Sequence, residues 1–209
     1  MMNRRSALAG LSAGAAVLTT GGGTLGQTSS FVRIISVGGA ITETLFALGL
    51  GDRLQAVDTT STFPSAANSL PKVGYLRQLS AEGILAMKPD LVLLSAEAGP
   101  AAAVAQLKTT GIPLQQIDVG RSPAGVAAMI ESIGRATDEA DAARTLSDSV
   151  KSRFDTLAAA IPPGEQKSVL LLLAAGSGPL LGAGANTAAS AIIGLAGGAL
   201  AFPDMQGYK

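Results

Sequence analysis

An α/β fold in two lobes is predicted by three features of the sequence. From Val32 onward, short apolar runs alternate with capped helical stretches. One long charged stretch without Gly or Pro interrupts them, and a Gly-Ala-x-Thr motif occurs on both sides of it. Alternation of this kind implies parallel strands joined by crossover helices.

The first element is a strand, Arg33-Ile34-Ile35-Ser36-Val37, running into Gly38-Gly39. Thr42 then reads as the cap of a helix that continues to Leu48 and stops at Gly49. Residues 54–57 form a second short strand. Ser80 opens a helix that Pro89 ends near Met87, because proline pushes its predecessor out of the helical region. Leu91-Val92-Leu93-Leu94 is a continuous apolar run, the pattern of a strand buried on both faces. Residues 100–109 read as a helix closed by Gly111, and residues 114–117 as the next strand. Ser122-Pro123 sets a cap ahead of a proline at the first helical position, and that helix runs to Ala136.

Residues 138–160 are of a different kind. Asp138, Glu139 and Asp141 come early and Lys151 and Arg153 late, an order that suits the helix dipole. A helix of this extent is about 34 Å long. Pro162-Pro163-Gly164 stops it, and residues 168–174 start a new strand. Such a helix reads as a rigid connector between lobes.

The repeat supports that reading. Gly39-Ala40-Ile41-Thr42, followed by Gly49-Leu50, recurs as Gly184-Ala185-Asn186-Thr187, followed by Gly194-Leu195. The two tyrosines of the chain then occur as Gly74-Tyr75 and Gly207-Tyr208. Three matching features in one order indicate duplication, hence two Rossmann-like lobes. The expected division is a signal peptide over 1–30, an N-terminal lobe over 31–137, the connecting helix over 138–161 and a partial C-terminal lobe over 162–209. The second lobe is expected to be incomplete, since only Lys209 follows Gly207-Tyr208.

The N-terminus predicts export. Met1-Met2-Asn3-Arg4-Arg5 is basic, residues 7–18 are uncharged and mostly apolar, and the first acidic residue is Glu43. The apolar stretch is short for a membrane span of about 20 residues; a retained anchor is the alternative. Arg4-Arg5 also suggests a twin-arginine signal with incomplete flanks. Without a cysteine there is no lipid attachment site, so the expected location is the periplasm.

Lys+Arg and Asp+Glu balance at 15 each, and no basic cluster follows the first five residues, which argues against a nucleic-acid partner. Removing Arg4 and Arg5 from the 15 basic residues leaves 13 against 15 acidic ones. Cys and His are both absent, which excludes disulfides, thiolate metal sites and Cys/His nucleophile–base pairs. Gly176-Ser177-Gly178 falls short of a nucleophile elbow and has no His to activate it. Gly21-Gly22-Gly23-Thr24-Leu25-Gly26 fits a dinucleotide fingerprint, but no strand precedes it. No catalytic residue is assigned; a small α/β hydrolase using Ser177 is the distant alternative.

Two blocks carry a resemblance. Asp58-Thr59-Thr60-Ser61-Thr62-Phe63-Pro64, followed by Leu70-Pro71-Lys72-Val73-Gly74-Tyr75-Leu76-Arg77-Gln78-Leu79-Ser80-Ala81-Glu82-Gly83, closely resembles periplasmic haem-binding proteins of ABC importers. Lys88-Pro89-Asp90-Leu91-Val92 is similar to the wider family that also binds siderophores and cobalamin. The resemblance implies a monomeric substrate-binding protein that carries haem, its transported ligand and sole expected cofactor, to the transmembrane subunits of an ABC permease. Ferric siderophore or cobalamin is the alternative ligand.

By the same resemblance Tyr75 is the axial ligand of ferric haem iron, a hard acid suited to a phenolate oxygen. Arg77, two residues on in an extended segment, would share the face of Tyr75 and hydrogen-bond its phenolate or a haem propionate. Glu82, in the first turn after Ser80, is implied to dock on permease arginines. Some haem-binding relatives add a second-lobe histidine, which this chain lacks. Five-coordinate ligation by Tyr75 is therefore expected, with any second ligand unassigned.

Overall fold

The computed structural model describes residues 31–162, 164–174 and 178–209. The expected signal peptide, the glycine-rich motif within it and Ser177 lie outside these residues.

The first lobe opens with strand β1 (Ile34–Val37), helix α1 (Gly39–Ala47) and strand β2 (Leu54–Val57). A hairpin follows, made of β3 (Gly74–Tyr75) and β4 (Gln78–Leu79). Then come α2 (Ala81–Ala86), β5 (Leu91–Ser95), α3 (Ala101–Lys108), β6 (Leu114–Ile117) and α4 (Pro123–Ala136). Strands β2, β1, β5 and β6 form one parallel sheet in that order.

Alternation along the central strands divides the core into two layers. Ile34, Leu91 and Leu93 pack with Ile41, Leu45, Ile130 and Ile133 of α1 and α4. Ile35, Val37, Val92 and Leu94 pack on the opposite face with Ile84, Val104 and Leu107 of α2 and α3. Every residue of β1 and β5 is buried, as the continuous apolar runs require of a sheet covered on both sides. The caps at Ser80 and Ser122 form as expected, each side chain accepting from the backbone N–H three residues on.

Thr42 corrects the sequence reading. Helix α1 starts at Gly39, with Gly38 at φ 117° in the cap position, a conformation open to glycine. Thr42 lies within the helix and is fully buried.

Helix α5 (Ala140–Ala160) starts two residues later than expected, after a left-handed Asp138 at φ 58°. Its first half lies on α4, burying Ala143 and Ser147. The crossing is close: a Cβ added to Gly134 would collide with that of Ala143. Of residues 151–160 only Phe154 is even partly buried, so the second half of α5 leaves the first lobe.

Beyond α5 come β7 (Ser168–Val169), β8 (Leu172–Leu173), β9 (Leu181–Gly182), α6 (Ala188–Leu195) and β10 (Ala199–Leu200). The single strand expected over 168–174 is split, because β7 pairs parallel with β10 and β8 turns to pair antiparallel with β9. A reciprocal Thr187–Ser190 capping box starts α6. Among the described residues, no strand after α5 pairs with one before it. The two sides of α5 thus build separate sheets, as a two-lobed α/β fold demands.

Candidate functional site

Parallel strands deliver their C-terminal ends to one edge of a sheet, where ligands of open α/β folds bind. Here β1 ends at Gly38-Gly39, β5 leads to Glu97, and β6 leads to Gly120-Arg121-Ser122; all of these line one cavity of about 710 Å³. That volume suits a small-molecule ligand. Phe154 of α5 contributes to the wall, and the second lobe closes it with Asn186, Thr187, Ile192, Leu195 and Tyr208. Ile192 is 67% exposed, so apolar surface is available on that side.

A buried polar network supports the floor. Asp58 follows β2 and has no solvent exposure. Its Oδ1 accepts from the Gly38 N–H at 2.9 Å and the Ser61 hydroxyl at 2.7 Å. Its Oδ2 accepts from the Thr60 N–H at 3.0 Å and the Thr60 hydroxyl at 2.5 Å. Ser61 spends its proton on Asp58, so Thr42 donates to Ser61 and Ser36 donates to Thr42, each at 2.8 Å. Burial pushes the Asp58 carboxyl up, but hydrogen bonds from Thr60, Ser61 and Gly38 outweigh it and hold the group below its ordinary range. Gly38 and Thr60 both line the cavity, so the carboxylate fixes the backbone against which a ligand would rest.

Of the two expected ligand residues, Arg77 lines the cavity and Tyr75 does not. Leu76 and Arg77 form the two-residue turn of the β3–β4 hairpin and line the cavity. This corrects the extended-segment argument: Arg77 is brought to the wall by the turn, not by strand alternation with Tyr75. Arg77 donates to Glu97 Oε2 at 2.8 Å. The hydrogen bond and charge of Glu97, with a lesser contribution from Tyr75, hold its guanidinium above its ordinary range. Glu97 also accepts from Arg121, at 2.7 Å. The Arg77 hydrogen bond, outweighing partial burial and joined by the Arg121 charge, keeps the Glu97 carboxyl below its usual range.

Tyr75 pairs with Gln78, is 43% exposed and lies outside the cavity lining. Tyr208 is 41% exposed and lies within it. Glu82 is exposed in the first turn of α2 and takes no part in the lining. Sequence reasoning missed Asp58, Glu97 and Arg121. Asp58 stood inside a recognised block; the Glu97 pairings span 20 and 24 residues and leave no local pattern.

Among the described residues, no three His, Cys, Asp or Glu side chains converge to hold a metal ion, and no helix is long and apolar enough to cross a membrane.

Comparison with known proteins places these features. A family model described as periplasmic binding protein matches residues 34–209. The periplasmic heme-binding protein HutB of Vibrio cholerae is 38% identical, with a TM-score of 0.76 over 85% of this chain and 69% of its own. The periplasmic heme-binding protein BhuT, solved in complex with two hemes, is 42% identical, with a TM-score of 0.74 and the same coverage. A vitamin B12-binding protein of Yersinia pestis (strain Pestoides F) is 29% identical over 174 residues, 83% of this chain. The chain spans 61% of that relative's length.

Proposed function

The chain belongs to the periplasmic binding protein family, whose members bind substrates and are not enzymes, and on that premise we propose that it captures haem outside the cytoplasm and hands it to an ABC permease. The observation that carries this reading is the placement of the Gly74–Glu82 block. Part of the stretch that resembles haem-binding proteins folds as a hairpin whose turn residues, Leu76 and Arg77, line the cavity. Identity of 38% and 42% with two heme-binding structures adds to it.

In this reading Tyr75, next in the chain to the cavity-lining turn, supplies a phenolate oxygen to ferric iron, and Arg77 two residues on favours the anionic oxygen. Phe154, Ile192 and Leu195 take the apolar macrocycle. Glu82, exposed and away from the cavity, is free to meet permease arginines. Residues 1–30 serve as the export signal, and 31–137, 138–161 and 162–209 are the first lobe, connector and second lobe.

A corrinoid is the second reading, favoured by the vitamin B12-binding relatives. Titration of the purified chain with haemin and with cyanocobalamin separates the two. Haemin is expected to develop a saturable, shifted Soret band at one equivalent or a small multiple, and cyanocobalamin to show no heat of binding. Saturable binding of cyanocobalamin without haemin binding would replace the first reading with the second.

A further inference from the structure

Glu97 follows β5 and Arg121 follows β6 at one edge of the sheet, both in the cavity wall. One oxygen of the Glu97 carboxylate accepts from Arg77 and the other from Arg121, at 2.8 and 2.7 Å. Two cations on one anion leave the cluster one net positive charge. All three side chains are about half exposed, at 61%, 47% and 51% for Arg77, Glu97 and Arg121. Ion pairs this exposed add little to folding stability. What the arrangement does achieve is a fixed spacing of two guanidiniums around a single carboxylate. The backbone holds Glu97 itself, since its N–H donates to the Ser95 hydroxyl.

Each guanidinium carries five N–H donors in a planar fork, and Glu97 takes one from each. The others remain for a planar acceptor, and carboxylate is the group whose geometry matches the fork. Apolar surface lies across the same cavity, at Phe154, Ile192 and Leu195. A ligand that satisfies both halves is flat, largely apolar and rimmed by carboxylates.

We propose that Arg121 is a ligand-binding residue which, paired with Arg77 through Glu97, takes the carboxylates of a flat apolar dicarboxylate. The inference rests on the haem reading, in which the two propionates are those groups. It also assigns a basis for selectivity, because a corrinoid rimmed by neutral amides offers the pair neither an anionic charge nor a carboxylate edge that both arms of a guanidinium fork can grip.

The test compares haemin with haemin dimethyl ester, which keeps iron and macrocycle but lacks the carboxylates. The wild-type chain, Arg121→Ala and Arg121→Lys are titrated with both at one fixed fraction of dimethyl sulfoxide, with circular dichroism as the check on folding. Loss of one charge-assisted contact is expected to weaken haemin binding by Arg121→Ala about tenfold. Ester binding is expected to stay as in wild type, and Arg121→Lys to recover part of the haemin affinity. Equal weakening for acid and ester would make Arg121 a structural residue and overturn the inference. So would haemin binding that survives Arg121→Ala unchanged. Failure of the wild-type chain to bind haemin at all would instead remove the haem reading, and the inference with it.

Discussion

Asp58→Asn is the sharpest test of how the cavity floor is held. The substitution keeps shape but replaces one acceptor oxygen by an NH2 group. Each Asp58 oxygen faces two donors, one of which is a backbone N–H: that of Gly38 on one side and that of Thr60 on the other. A hydroxyl can turn round and accept; a backbone N–H cannot. Either orientation of the amide therefore sets its NH2 group against a backbone N–H, that of buried Gly38 or that of partly exposed Thr60. An orphaned buried donor costs about 1–3 kcal/mol, and hydrogen bonds to a charged group contribute about 1.5–3 kcal/mol each. The expected loss is about 3–5 kcal/mol. At about 2–4 °C per kcal/mol for a chain of this size, Tm falls by roughly 6–20 °C.

The pH dependence gives a second reading of the same group. The folded state holds the Asp58 carboxyl below its ordinary range, so its contribution is complete above the unfolded value of about 3.9. It is lost as pH falls through the lower folded value. The Tm gap between wild type and Asp58→Asn should stay constant from about pH 7 to 5 and narrow below about pH 4. Scanning calorimetry across that range measures both. A variant melting within about 2 °C of wild type, or a gap unchanged at low pH, would refute the argument.

Tyr75→Phe deletes the proposed iron donor at an exposed site, so Tm should barely move while haemin affinity falls about a hundredfold, on the order of 3 kcal/mol. Tyr208→Phe serves as its control from inside the cavity; a loss confined to Tyr208→Phe would transfer the ligand role to the second lobe. Glu82→Ala should leave haemin titrations unchanged and slow permease-coupled uptake in proteoliposomes. Uptake at the wild-type rate would remove Glu82 from docking.

The legible parts of this fold are those whose signals are local. Caps at Ser80 and Ser122 act over three residues, and the runs 34–37 and 91–94 announce burial on two faces by themselves. At the start of helix α1 two signals compete: Thr42 is a good capping residue, but Gly38 accepts φ 117° and takes the cap position. The freed Thr42 hydroxyl then serves a buried chain whose members, Ser36, Thr42, Ser61 and Asp58, meet only after β1, α1 and β2 have packed. The run after Ser168 is similar, since its continuous leucines do not disclose that β7 and β8 pair with different partners.

The site follows the same physics with a further consequence. Two-residue hairpin turns favour Asn-Gly and its relatives, whereas Leu76-Arg77 occupies the turn here. Nothing local therefore marked the chain reversal, and an extended segment was the reasonable expectation. The reversal decides the chemistry. In an extended strand Arg77 would belong to Tyr75 alone. In the turn it reaches Glu97, and through Glu97 it is coupled to Arg121 on a different strand. A charge that the sequence offers as a helper to one phenol thus becomes half of a pair spanning the loops after β5 and β6. In the proposed haem reading, that pair has the sign to meet the propionates, while the iron falls to Tyr75. Affinity for the metal and selectivity for the acid groups would then reside in different side chains, so Tyr75→Phe and Arg121→Ala should weaken haemin binding by separable amounts, and only the second should narrow the preference for acid over ester, with Arg77 keeping the remainder.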